Sequence, residues 1–426
     1  MENIHFGTDG IRGVYGEEIT DETAFRLGRA LGGMGKLLLA RDNRVSSPRL
    51  AAAFLGGVET AGGECVFLGP STTPALYYAT LASDADYSVM ITASHNPPSH
   101  NGLKVFDREG KLGKEARERL TDIMCAADVR ELTYRSALAD GSLLEAYRRF
   151  FSSVVGDLTG VRAVVDYAGG AGYAFRDLLS SLGADVTPLF LRETGEAVNV
   201  GCGALHPETL REETVRRGAD IGFALDGDGD RIVAVSKDGD LLDGDAILYL
   251  LARSRKRKNA LPKNKIALTV MTNGGVVRSL SDAGIDVVTC DVGDAAVVAA
   301  MREEGLTLGG EQSGHIVLGD LMMTGDGLLT GGTMMRMIKE GEPVVRPPEL
   351  KTYPQITHSV RVKDRRVANA EEVRKLVARI RASLEGGRVL VRASGTESVV
   401  RVTVECEDAA TAEAAVREIE EEIGKR

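Results

Sequence analysis

Cysteine is scarce in this sequence and is spread widely along it. Only five cysteines occur among 426 residues, and the two that lie closest in the chain, Cys65 and Cys125, are 60 residues apart. No Cys-x-x-Cys pair is present, so the sequence indicates neither a zinc site nor a disulfide framework. A reducing, cytoplasmic location is therefore expected.

Long apolar runs and several well-known site motifs are also missing. No stretch of ~20 consecutive apolar residues suggests a membrane span. The N-terminus, Met-Glu-Asn-Ile-His, has no basic region followed by an apolar stretch, so we expect no signal peptide. The sequence has no Gly-x4-Gly-Lys-Ser/Thr loop, no His-Glu-x-x-His pair and no complete dinucleotide-binding fingerprint.

Positive charge is in deficit. The chain has 52 Lys and Arg against 62 Asp and Glu, which gives a formal net charge of -10. Nucleic-acid binders and anionic-membrane binders are more often basic, so we expect neither kind of partner. The one dense basic run, residues 253–258, is interpreted as a solvated helix end. An anionic ligand would need a local basic pocket.

Short apolar runs alternate with helical patterns along most of the chain. The predicted strands are largely apolar on both faces, which is typical of parallel strands buried between helices. These strands are residues 36–40, 65–68, 87–92, 163–166, 221–225, 266–271 and 287–290. A helix is predicted to start near Thr20. The alternation of strands and helices predicts α/β units with a mainly parallel sheet.

A proline-rich segment sets off the last part of the chain. Four prolines between residues 343 and 354 indicate a linker. Strands are predicted after it at residues 359–362, 389–392 and 399–405, and a last helix is predicted to begin near Asp408. This pattern predicts a small α+β domain at the C-terminus.

Three aspartates alternate with glycines in the sequence Asp226-Gly227-Asp228-Gly229-Asp230-Arg231. Because the glycines let the backbone curl, the three carboxylates can converge on one cation, and hard oxygen ligands suit Mg²⁺ or Ca²⁺. An EF-hand is excluded, since its sixth position would be Arg231 and its twelfth Lys237. A plain acidic turn is the weaker interpretation, because the aspartates follow a buried strand.

A serine stands at the end of another predicted strand, in Thr92-Ala93-Ser94-His95-Asn96-Pro97. Ser94, flanked by His95, is a candidate nucleophile, and Lys104 could bind phosphate or move a proton. Ser-Asn-Pro loops are also common turns. No Gly-x-Ser-x-Gly elbow surrounds Ser94, which argues against an ordinary esterase.

Two further loops have polar compositions that suit a sugar phosphate. The segment Arg392-Ala393-Ser394-Gly395-Thr396-Glu397 could hold a phosphate through Arg392, hydroxyls and backbone N–H groups, or be a simple hairpin turn. Residues 309–315 offer an acid, an amide, a hydroxyl and an imidazole, which suits sugar hydroxyls. With the aspartate and serine loops, this loop could face one cleft, since ligands bind beyond the carboxyl ends of strands.

The chain resembles the α-D-phosphohexomutase family over essentially its whole length. The resemblance rests on the four loops, in their order along the chain, together with the N-terminal motif Phe6-Gly7-Thr8-Asp9-Gly10-Ile11-Arg12-Gly13. The resemblance implies an α/β fold of four domains around a central cleft. Three are similar α/β domains with mixed, mainly parallel sheets, and the fourth is a smaller C-terminal α+β domain. The predicted boundaries are 1–150, 151–243, 244–345 and 346–426.

The resemblance also implies the roles of individual residues. The resting enzyme would carry a phosphoryl group on Ser94, and one Mg²⁺ per chain would be bound by that group and three aspartates, with a hexose 1,6-bisphosphate as activator and intermediate. The implied catalytic residues are Ser94, Arg12, Lys104 and His95. The implied metal ligands are Ser94, Asp226, Asp228 and Asp230. The implied substrate-binding residues are Arg231, Glu311, Ser313, His315, Arg392, Ser394, Gly395 and Thr396.

Within the family, Gly-Gly-Glu-Gln-Ser-Gly-His and the N-terminal motif resemble the subgroup that acts on glucosamine phosphates. We expect the chain to interconvert glucosamine 6-phosphate and glucosamine 1-phosphate, as a monomer or homodimer. Ala295 and Ala296 stand where that subgroup usually has an arginine and an aromatic residue, so glucose or mannose phosphates remain the alternative substrates. A metal-dependent phosphatase and a catalytically silent sugar-phosphate-binding protein are the rival classes.

Overall fold

The computed structural model places most of the chain in two compact units. The first unit comprises residues 1–269 and 290–346, and the second comprises residues 270–289 and 347–426. The residues that the structure describes are 6–7, 9–126, 129, 131–384, 387–393 and 399–425.

The first sheet is mixed and is surrounded by five helices. Its strands are β1 Ile11–Val14, β2 Leu37–Arg41, β3 Cys65–Pro70, β4 Tyr87–Ile91, β5 His100–Asp107 and β6 Gly110–Lys111. The helices of this part of the chain are α1 Asp21–Gly32, α2 Ser47–Thr60, α3 Thr73–Leu81, α4 Lys114–Ala126 and α5 Ser142–Val155. The strand order is β1-β5-β4-β2-β3, and β6 pairs with β5. Strand β2 is parallel to β3 and β4, whereas β5 is antiparallel to β1 and β4.

The second sheet has a parallel half and an antiparallel half. Its strands are β7 Arg162–Asp166, β8 Asp185–Leu189, β9 Ile221–Leu225, β10 Ile232–Ser236 and β11 Leu241–Leu242, with helices α6 Leu178–Ser181 and α7 Glu208–Arg217. The strand order is β11-β10-β9-β7-β8. Every residue of β9 and β10 is buried. Strands covered on both faces read as continuous apolar runs, which is why the sequence shows β9 clearly.

The third part of the chain contains short strands between longer helices. Its elements are α8 Gly244–Arg257, β12 Lys265–Thr269, α9 Gly274–Asp282, β13 Asp286–Cys290, α10 Asp294–Glu304, β14 Leu308–Gly310, β15 Ile316–Leu318 and α11 Gly327–Lys339. Strand β12 is parallel to β14, and β14 is antiparallel to β15. The basic run at residues 253–258 falls at the end of α8, as predicted, and Arg257 and Lys258 pair there with Glu342.

The second unit contains an antiparallel sheet covered by helices. Its elements after residue 347 are β16 Gln355–Arg361, α12 Glu371–Ser383, β17 Arg388–Ala393, β18 Val399–Glu405 and α13 Ala409–Gly424. The central strand β18 is antiparallel to both neighbours. Val400, Val402 and Val404 alternate toward the core, where they meet an apolar stripe of α13. The buried residues of that stripe are Ala412, Ala415, Val416, Ile419 and Ile423.

The α/β fold class predicted from the sequence is confirmed. Predicted strands lie within one or two residues of the observed ones, except that β16 begins earlier than predicted, at Gln355. Helix α1 begins after Thr20, whose hydroxyl accepts a hydrogen bond from the Thr23 amide and forms a capping box. Among the described residues, none of the helices combines the length and apolar character needed to cross a membrane.

Candidate functional site

The aspartate loop follows directly from the end of β9 and is buried. Asp226, Asp228 and Asp230 are between 0 and 5 % exposed. One carboxylate oxygen of each lies within 4.8 Å of the others. Gly229 has φ 75°, a left-handed conformation that glycine adopts without strain. The glycines thus do what the sequence pattern indicated, and the three carboxylates converge.

Ser94 lies at the end of β4 in an uncommon backbone conformation. Its φ is 52°, and its amide donates to the Thr92 hydroxyl at 3.0 Å. The Ser94 hydroxyl donates to Oδ2 of Asp226 at 2.6 Å, and His95 Nδ1 lies 3.5 Å from it. Residues outside the common φ range cluster at functional sites. The structure therefore brings the candidate nucleophile into direct contact with the aspartate loop.

Lys104 lies on β5 and reaches the same cluster. Its ammonium group donates to Asp228 at 2.5 Å and to Asp230 at 3.0 Å, and its side chain is 1 % exposed. Burial lowers the pKa of Lys104, but the two carboxylates outweigh burial and raise that pKa above its ordinary value. Lys104 therefore keeps its charge and offsets part of the negative charge of the aspartate loop.

The pKa values of Asp226 and Asp230 are shifted in opposite directions. Burial, with the charges of its two neighbours, raises the pKa of Asp226 well above its usual value. Burial has the same tendency at Asp230, but Lys104 and His315 hold the pKa of Asp230 well below its usual value. The difference follows from the position of Lys104, which pairs with Asp228 and Asp230 and not with Asp226 among the described contacts.

The donor set of this loop fits a hard divalent cation. Oδ1 of Asp228 and Oδ1 of Asp230 are buried and have no hydrogen-bond partner in the described part of the chain. Buried carboxylate oxygens without partners are costly unless a ligand satisfies them. Oxygen donors without nitrogen or sulfur favour Mg²⁺ or Ca²⁺. The residues predicted to bind Mg²⁺ are thus suited to it by type, burial and convergence.

Two arginines add positive charge around His95. Arg12 lies on β1, pairs with Asp9 at 3.6 Å, and has a buried Nε without a partner among the described residues. Arg231 ends the aspartate loop, and its amide donates to Asp226 at 3.2 Å. Burial first, and then the charges of Arg231 and Arg12, lower the pKa of His95 to about 4. The histidine beside Ser94 is therefore neutral near pH 7.

The predicted sugar loop connects β14 to β15. Glu311 is buried, and its Oε1 accepts a hydrogen bond from the Gly293 amide at 3.0 Å. His315 is buried as well, and its Nε2 accepts from the Gly325 amide at 3.0 Å. Ser313 is exposed at the tip of the loop. Two of the three side chains are thus held in fixed orientations, whereas Ser313 faces solvent.

A charged cluster beside this loop was not found from the sequence. Lys111 on β6 forms ion pairs with both Asp9 and Asp294, and His315 Nε2 lies 3.8 Å from Asp294. Asp9 belongs to the N-terminal motif, and this was the only feature of the sequence analysis that pointed to a member of the cluster. Lys111 and Asp294 are far apart in the sequence, so no local pattern could have joined them.

Thr73 is a second residue that the sequence did not reveal. It begins helix α3, its amide donates to the Asp228 carbonyl at 3.0 Å, and its hydroxyl donates to Oδ2 of Asp228. It is 1 % exposed. The first residue of α3 thus fixes the central aspartate of a loop more than 150 residues away in the chain.

The predicted phosphate loop belongs to the second unit. Arg392 lies near the end of β17 and is exposed. Ser394, Gly395 and Thr396 lie outside the described residues.

Comparisons with known protein families agree along most of the chain. Residues 3–131 match "Phosphoglucomutase/phosphomannomutase, alpha/beta/alpha domain I". Residues 243–349 match domain III of the same family, and residues 359–422 match its C-terminal domain.

Similar proteins of full length are also known. The chain is 40% identical to a phosphoglucosamine mutase from Desulforamulus reducens, over 98% of this chain and 99% of that protein. It is 38% identical to a phosphoglucosamine mutase from Thermotoga neapolitana, over 100% of this chain and 99% of that protein.

Solved structures share the fold. A phosphoglucomutase/phosphomannomutase family protein from Burkholderia thailandensis superposes with a TM-score of 0.81 at 26% identity, over 100% of this chain and 97% of that one. An Aspergillus fumigatus N-acetylphosphoglucosamine mutase, solved in complex with GlcNAc-6P and magnesium, superposes with a TM-score of 0.66 at 17% identity, over 98% of this chain and 95% of that one.

Proposed function

We propose, because this chain belongs to the α-D-phosphohexomutase family, that it interconverts glucosamine 6-phosphate and glucosamine 1-phosphate through a phosphorylated Ser94. The chain is an enzyme of the isomerase class, an intramolecular phosphotransferase of carbohydrate metabolism. The observation that carries the proposal is the 2.6 Å hydrogen bond from the Ser94 hydroxyl to Asp226, within a buried cluster of three carboxylates.

The reaction proceeds in two transfers that balance each other. In the first, the free hydroxyl of the hexose phosphate attacks the phosphorus on Ser94, the bond from phosphorus to Ser94 Oγ breaks, and the net proton movement is from the attacking hydroxyl to Ser94 Oγ. The product is a hexose 1,6-bisphosphate. After it has turned over, the Ser94 hydroxyl attacks the other phosphoryl group and loses its proton, and the bond from that phosphorus to the sugar oxygen breaks. The sugar oxygen takes up a proton, the isomeric monophosphate is released, and Ser94 is phosphorylated again.

The cluster around Ser94 supplies what phosphoryl transfer requires, which is mainly position and charge neutralisation. Lys104 stands 2.5 Å from Asp228 and is oriented by it. Arg12 and His95 complete the proposed catalytic set, with Arg12 and Lys104 assisting proton transfer. Asp226, Asp228, Asp230 and the phosphoryl oxygens on Ser94 would hold one Mg²⁺, which would neutralise developing negative charge.

Residues farther from Ser94 would hold the sugar. Glu311 and His315 are buried and fixed by backbone amides, which supports their proposed contacts with sugar hydroxyls together with Ser313 and Arg231. Arg392, with Ser394, Gly395 and Thr396, would bind the phosphate that does not react. A planar guanidinium suits such a bidentate contact.

The preference for an amino sugar is supported by the similarity to phosphoglucosamine mutases and by the negative charge of Glu311. Glucose and glucosamine phosphates differ at C2, where a hydroxyl is replaced by an ammonium group. The carboxylate of Glu311 would favour the cation. One charged hydrogen bond contributes ~1.5–3 kcal/mol, about ten- to a hundredfold in preference. Activity on glucose phosphates is therefore expected to be lower but measurable.

The proposal also includes the domain boundaries, the cellular location and the oligomeric state. Four domains are proposed, at residues 1–150, 151–243, 244–345 and 346–426, and their support is that a different sheet of the described structure lies in each. A cytoplasmic location and a monomeric or homodimeric state belong to the same proposal, as does a hexose 1,6-bisphosphate as activator.

One assay distinguishes the proposed activity from its rivals. The purified protein is incubated with glucose 1-phosphate, Mg²⁺ and a trace of hexose 1,6-bisphosphate, and the products are separated. A mutase yields the isomeric 6-phosphate, a phosphatase yields inorganic phosphate, and a binding protein yields neither. Release of inorganic phosphate as the main product would overturn the proposal.

A further inference from the structure

An arginine that is completely buried holds the serine loop from behind. Arg44, which follows β2, is 0 % exposed. Its Nη2 donates to the carbonyl oxygens of Ser94 and Asn96, each at 2.8 Å. Its Nη1 donates to the carbonyl oxygens of Pro97 at 2.5 Å and His100 at 3.1 Å. One guanidinium thus binds three carbonyl groups of the loop that carries Ser94 and that of His100, the first residue of β5.

The charge of Arg44 is balanced by Asp42, which is also 0 % exposed. Arg44 Nε donates to Oδ2 of Asp42 at 2.9 Å, and the Arg44 amide donates to Oδ1 at 3.0 Å. The Ser47 hydroxyl donates to the same Oδ1 at 2.6 Å. Because the pair is neutral as a whole, Arg44 adds little positive potential at Ser94, and its effect is geometric.

A second residue, in the segment between β8 and α7, binds two of the same carbonyl groups. Asn199 Nδ2 donates to the carbonyl oxygen of Ser94 at 2.9 Å and to that of Asn96 at 3.1 Å. Each of these two oxygens therefore accepts from both Arg44 and Asn199. Asn199 has φ 60° and is itself anchored, since its amide donates to the Ala168 carbonyl at 2.9 Å.

The aspartate loop meets the serine loop at the same point. A Cβ on Gly227 would collide with the carbonyl oxygen of Ser94 and would lie 3.1 Å from Asn199 Nδ2. The Ser94 hydroxyl donates to Asp226. The backbone of Ser94 is thus fixed by two donors and packed against the loop that supplies the candidate metal ligands.

We propose that Arg44 and Asn199 are positioning residues that hold Ser94 Oγ at one fixed place relative to Asp226 while the serine gains and loses its phosphoryl group. The inference rests on the proposed function, because only a phosphoryl carrier must occupy the same position in both transfers. A displacement of about 1 Å can lower a rate ~100-fold. The four carbonyl contacts of Arg44 and the two of Asn199 leave the loop backbone little freedom for such a displacement.

The chain contains a matched control for Asn199. Asn43 Nδ2 also donates to two carbonyl oxygens across the junction of the first two sheets, those of Gly169 and Arg192, both at 3.0 Å. It does not contact the serine loop among the described hydrogen bonds. A merely structural role for Asn199 would make the two asparagines equivalent.

The test compares Asn199→Gly with Asn43→Gly. Glycine is used because it adopts the positive φ of residue 199 without strain. Both variants are expected to lower the melting temperature by similar amounts. Asn199→Gly is expected to lower kcat for the mutase reaction ~10- to 100-fold, with KM for the hexose phosphate changed less than about threefold. Asn43→Gly is expected to keep kcat within about threefold of wild type, since its bonds lie away from the serine loop.

A second measurement separates this inference from the proposed function. Amide hydrogen exchange of residues 93–100 should be faster in Asn199→Gly than in wild type and unchanged in Asn43→Gly. If the wild-type protein shows no mutase activity, the proposed function fails, and hydrogen exchange still decides whether Asn199 holds the loop. Equal kcat values in the two variants, or equal exchange of residues 93–100, would overturn the positioning role. Arg44→Lys, which cannot reach four carbonyls, should reproduce the loss of kcat.

Discussion

Ser94 combines burial, a positive φ and contact with a carboxylate, and the first prediction concerns its modification. The purified protein is expected to carry phosphate on Ser94 in at least part of the molecules. Ser94→Ala removes the carrier oxygen and should lower mutase activity by at least ~10³-fold. Intact mass, peptide mapping and the mutase assay measure the two effects.

Ser99 provides the control for this prediction. It is exposed in the same loop, and its hydroxyl lies 3.2 Å from His100 Nδ1. Ser99→Ala should keep both the phosphorylation and the activity. Full activity in Ser94→Ala would show that Ser94 is not the carrier.

The second prediction concerns the metal ligands. Asp228→Asn keeps the size of the side chain but removes a charge between Lys104 and the candidate metal. The mutase rate is expected to fall on the order of 10²-fold or more, with an increased Mg²⁺ requirement. Titration of activity with Mg²⁺ after chelator treatment measures the change.

Asp238→Asn is the matched control, since Asp238 is exposed and pairs with Lys237 at the far end of β10. It should leave the Mg²⁺ requirement unchanged. Normal activity of wild-type protein in excess chelator would contradict the metal role.

At the residue scale, local patterns predicted the reactive groups but not those that hold them. Ser94 and the aspartates could be predicted because a polar group at the end of a buried strand stands out within a few positions. Arg44 and Thr73 act on segments that are distant in sequence, so nothing near them indicates which carbonyl or carboxylate they bind. Arg44 also looks like an ordinary surface arginine in the sequence, although it is completely buried.

At the scale of the elements, the start of α11 provides a prediction about stability. Asp326 caps this helix by accepting from the Leu329 amide at 2.9 Å, and it also accepts from the Tyr147 hydroxyl at 2.7 Å. Burial raises the pKa of Asp326 from 3.8 to about 6. In an unfolded chain the carboxyl has its ordinary pKa, so the folded state binds more protons between about pH 4 and pH 6. The free energy of unfolding therefore falls as pH rises through that interval.

Asp326→Asn cannot ionise but can still accept from the helix amide. Relative to wild type, it is expected to gain stability as pH rises from 4 to 7, by up to about 3 kcal/mol. Denaturant unfolding at each pH measures the difference. Asp408→Asn is the opposite case. Hydrogen bonds from Thr411 lower the pKa of Asp408, so the stability that the Asp408 carboxylate contributes to the wild-type protein is lost as pH falls. Parallel pH profiles for wild type and Asp326→Asn would contradict the prediction.

A further prediction at this scale concerns β17. Arg392→Ala removes the guanidinium near the end of the strand and is expected to raise KM for the hexose phosphate about ten- to a hundredfold, the value of one charged hydrogen bond of ~1.5–3 kcal/mol. It can also lower kcat, since that contact orients the reacting hydroxyl. Initial rates over a wide range of substrate concentration measure both parameters.

The control for Arg392 is Arg366→Ala, which removes an exposed arginine that pairs with Asp364 in the same unit. It should leave KM unchanged. Equal KM values for wild type and Arg392→Ala would remove Arg392 from the substrate site.

Strands were the elements that the sequence predicted best. In β9 all five residues are buried, so the apolar run and the strand coincide. Strand β16 is different, because its exposed and half-buried residues alternate, and its first residues resemble the linker before it. Eight strands of the described structure were not predicted, namely β1, β5, β6, β8, β10, β11, β14 and β15. Strands β6 and β11 have two residues each, and so short a pairing leaves no periodic pattern.

At the scale of the whole molecule, the prediction concerns substrate specificity. The values of kcat/KM for glucosamine, glucose and mannose phosphates, measured in one assay, are expected to be highest for glucosamine by about ten- to a hundredfold. Glu311→Gln should reduce that preference more than it reduces activity on glucose phosphate. A clear preference for glucose or mannose phosphate would contradict the substrate assignment and leave the phosphohexomutase activity in place.

The order of motifs along the chain made the family recognisable, although no single loop was specific. The charged cluster of Asp9, Lys111 and Asp294 could not be predicted from motifs, because it joins three segments that only the folded chain brings together. Residues 394–396 stay a prediction from the sequence.

Helix α5 has a consequence for recombining this protein with its relatives. Tyr147 packs edge to face on Phe175, with ring centres 5.1 Å apart, and donates to Asp326 at the start of α11. On α11 itself, a Cβ at Gly332 would lie 2.8 Å from a methyl group of Val155 and 2.9 Å from the Phe151 ring, so a larger residue there would require these α5 side chains to move. A chimaera that took α11 from one parent and α5 from another would combine the aromatic ring of one helix with a facing helix surface that had not been selected to fit it. Crossovers placed so that both helices come from one parent should therefore give folded hybrids more often.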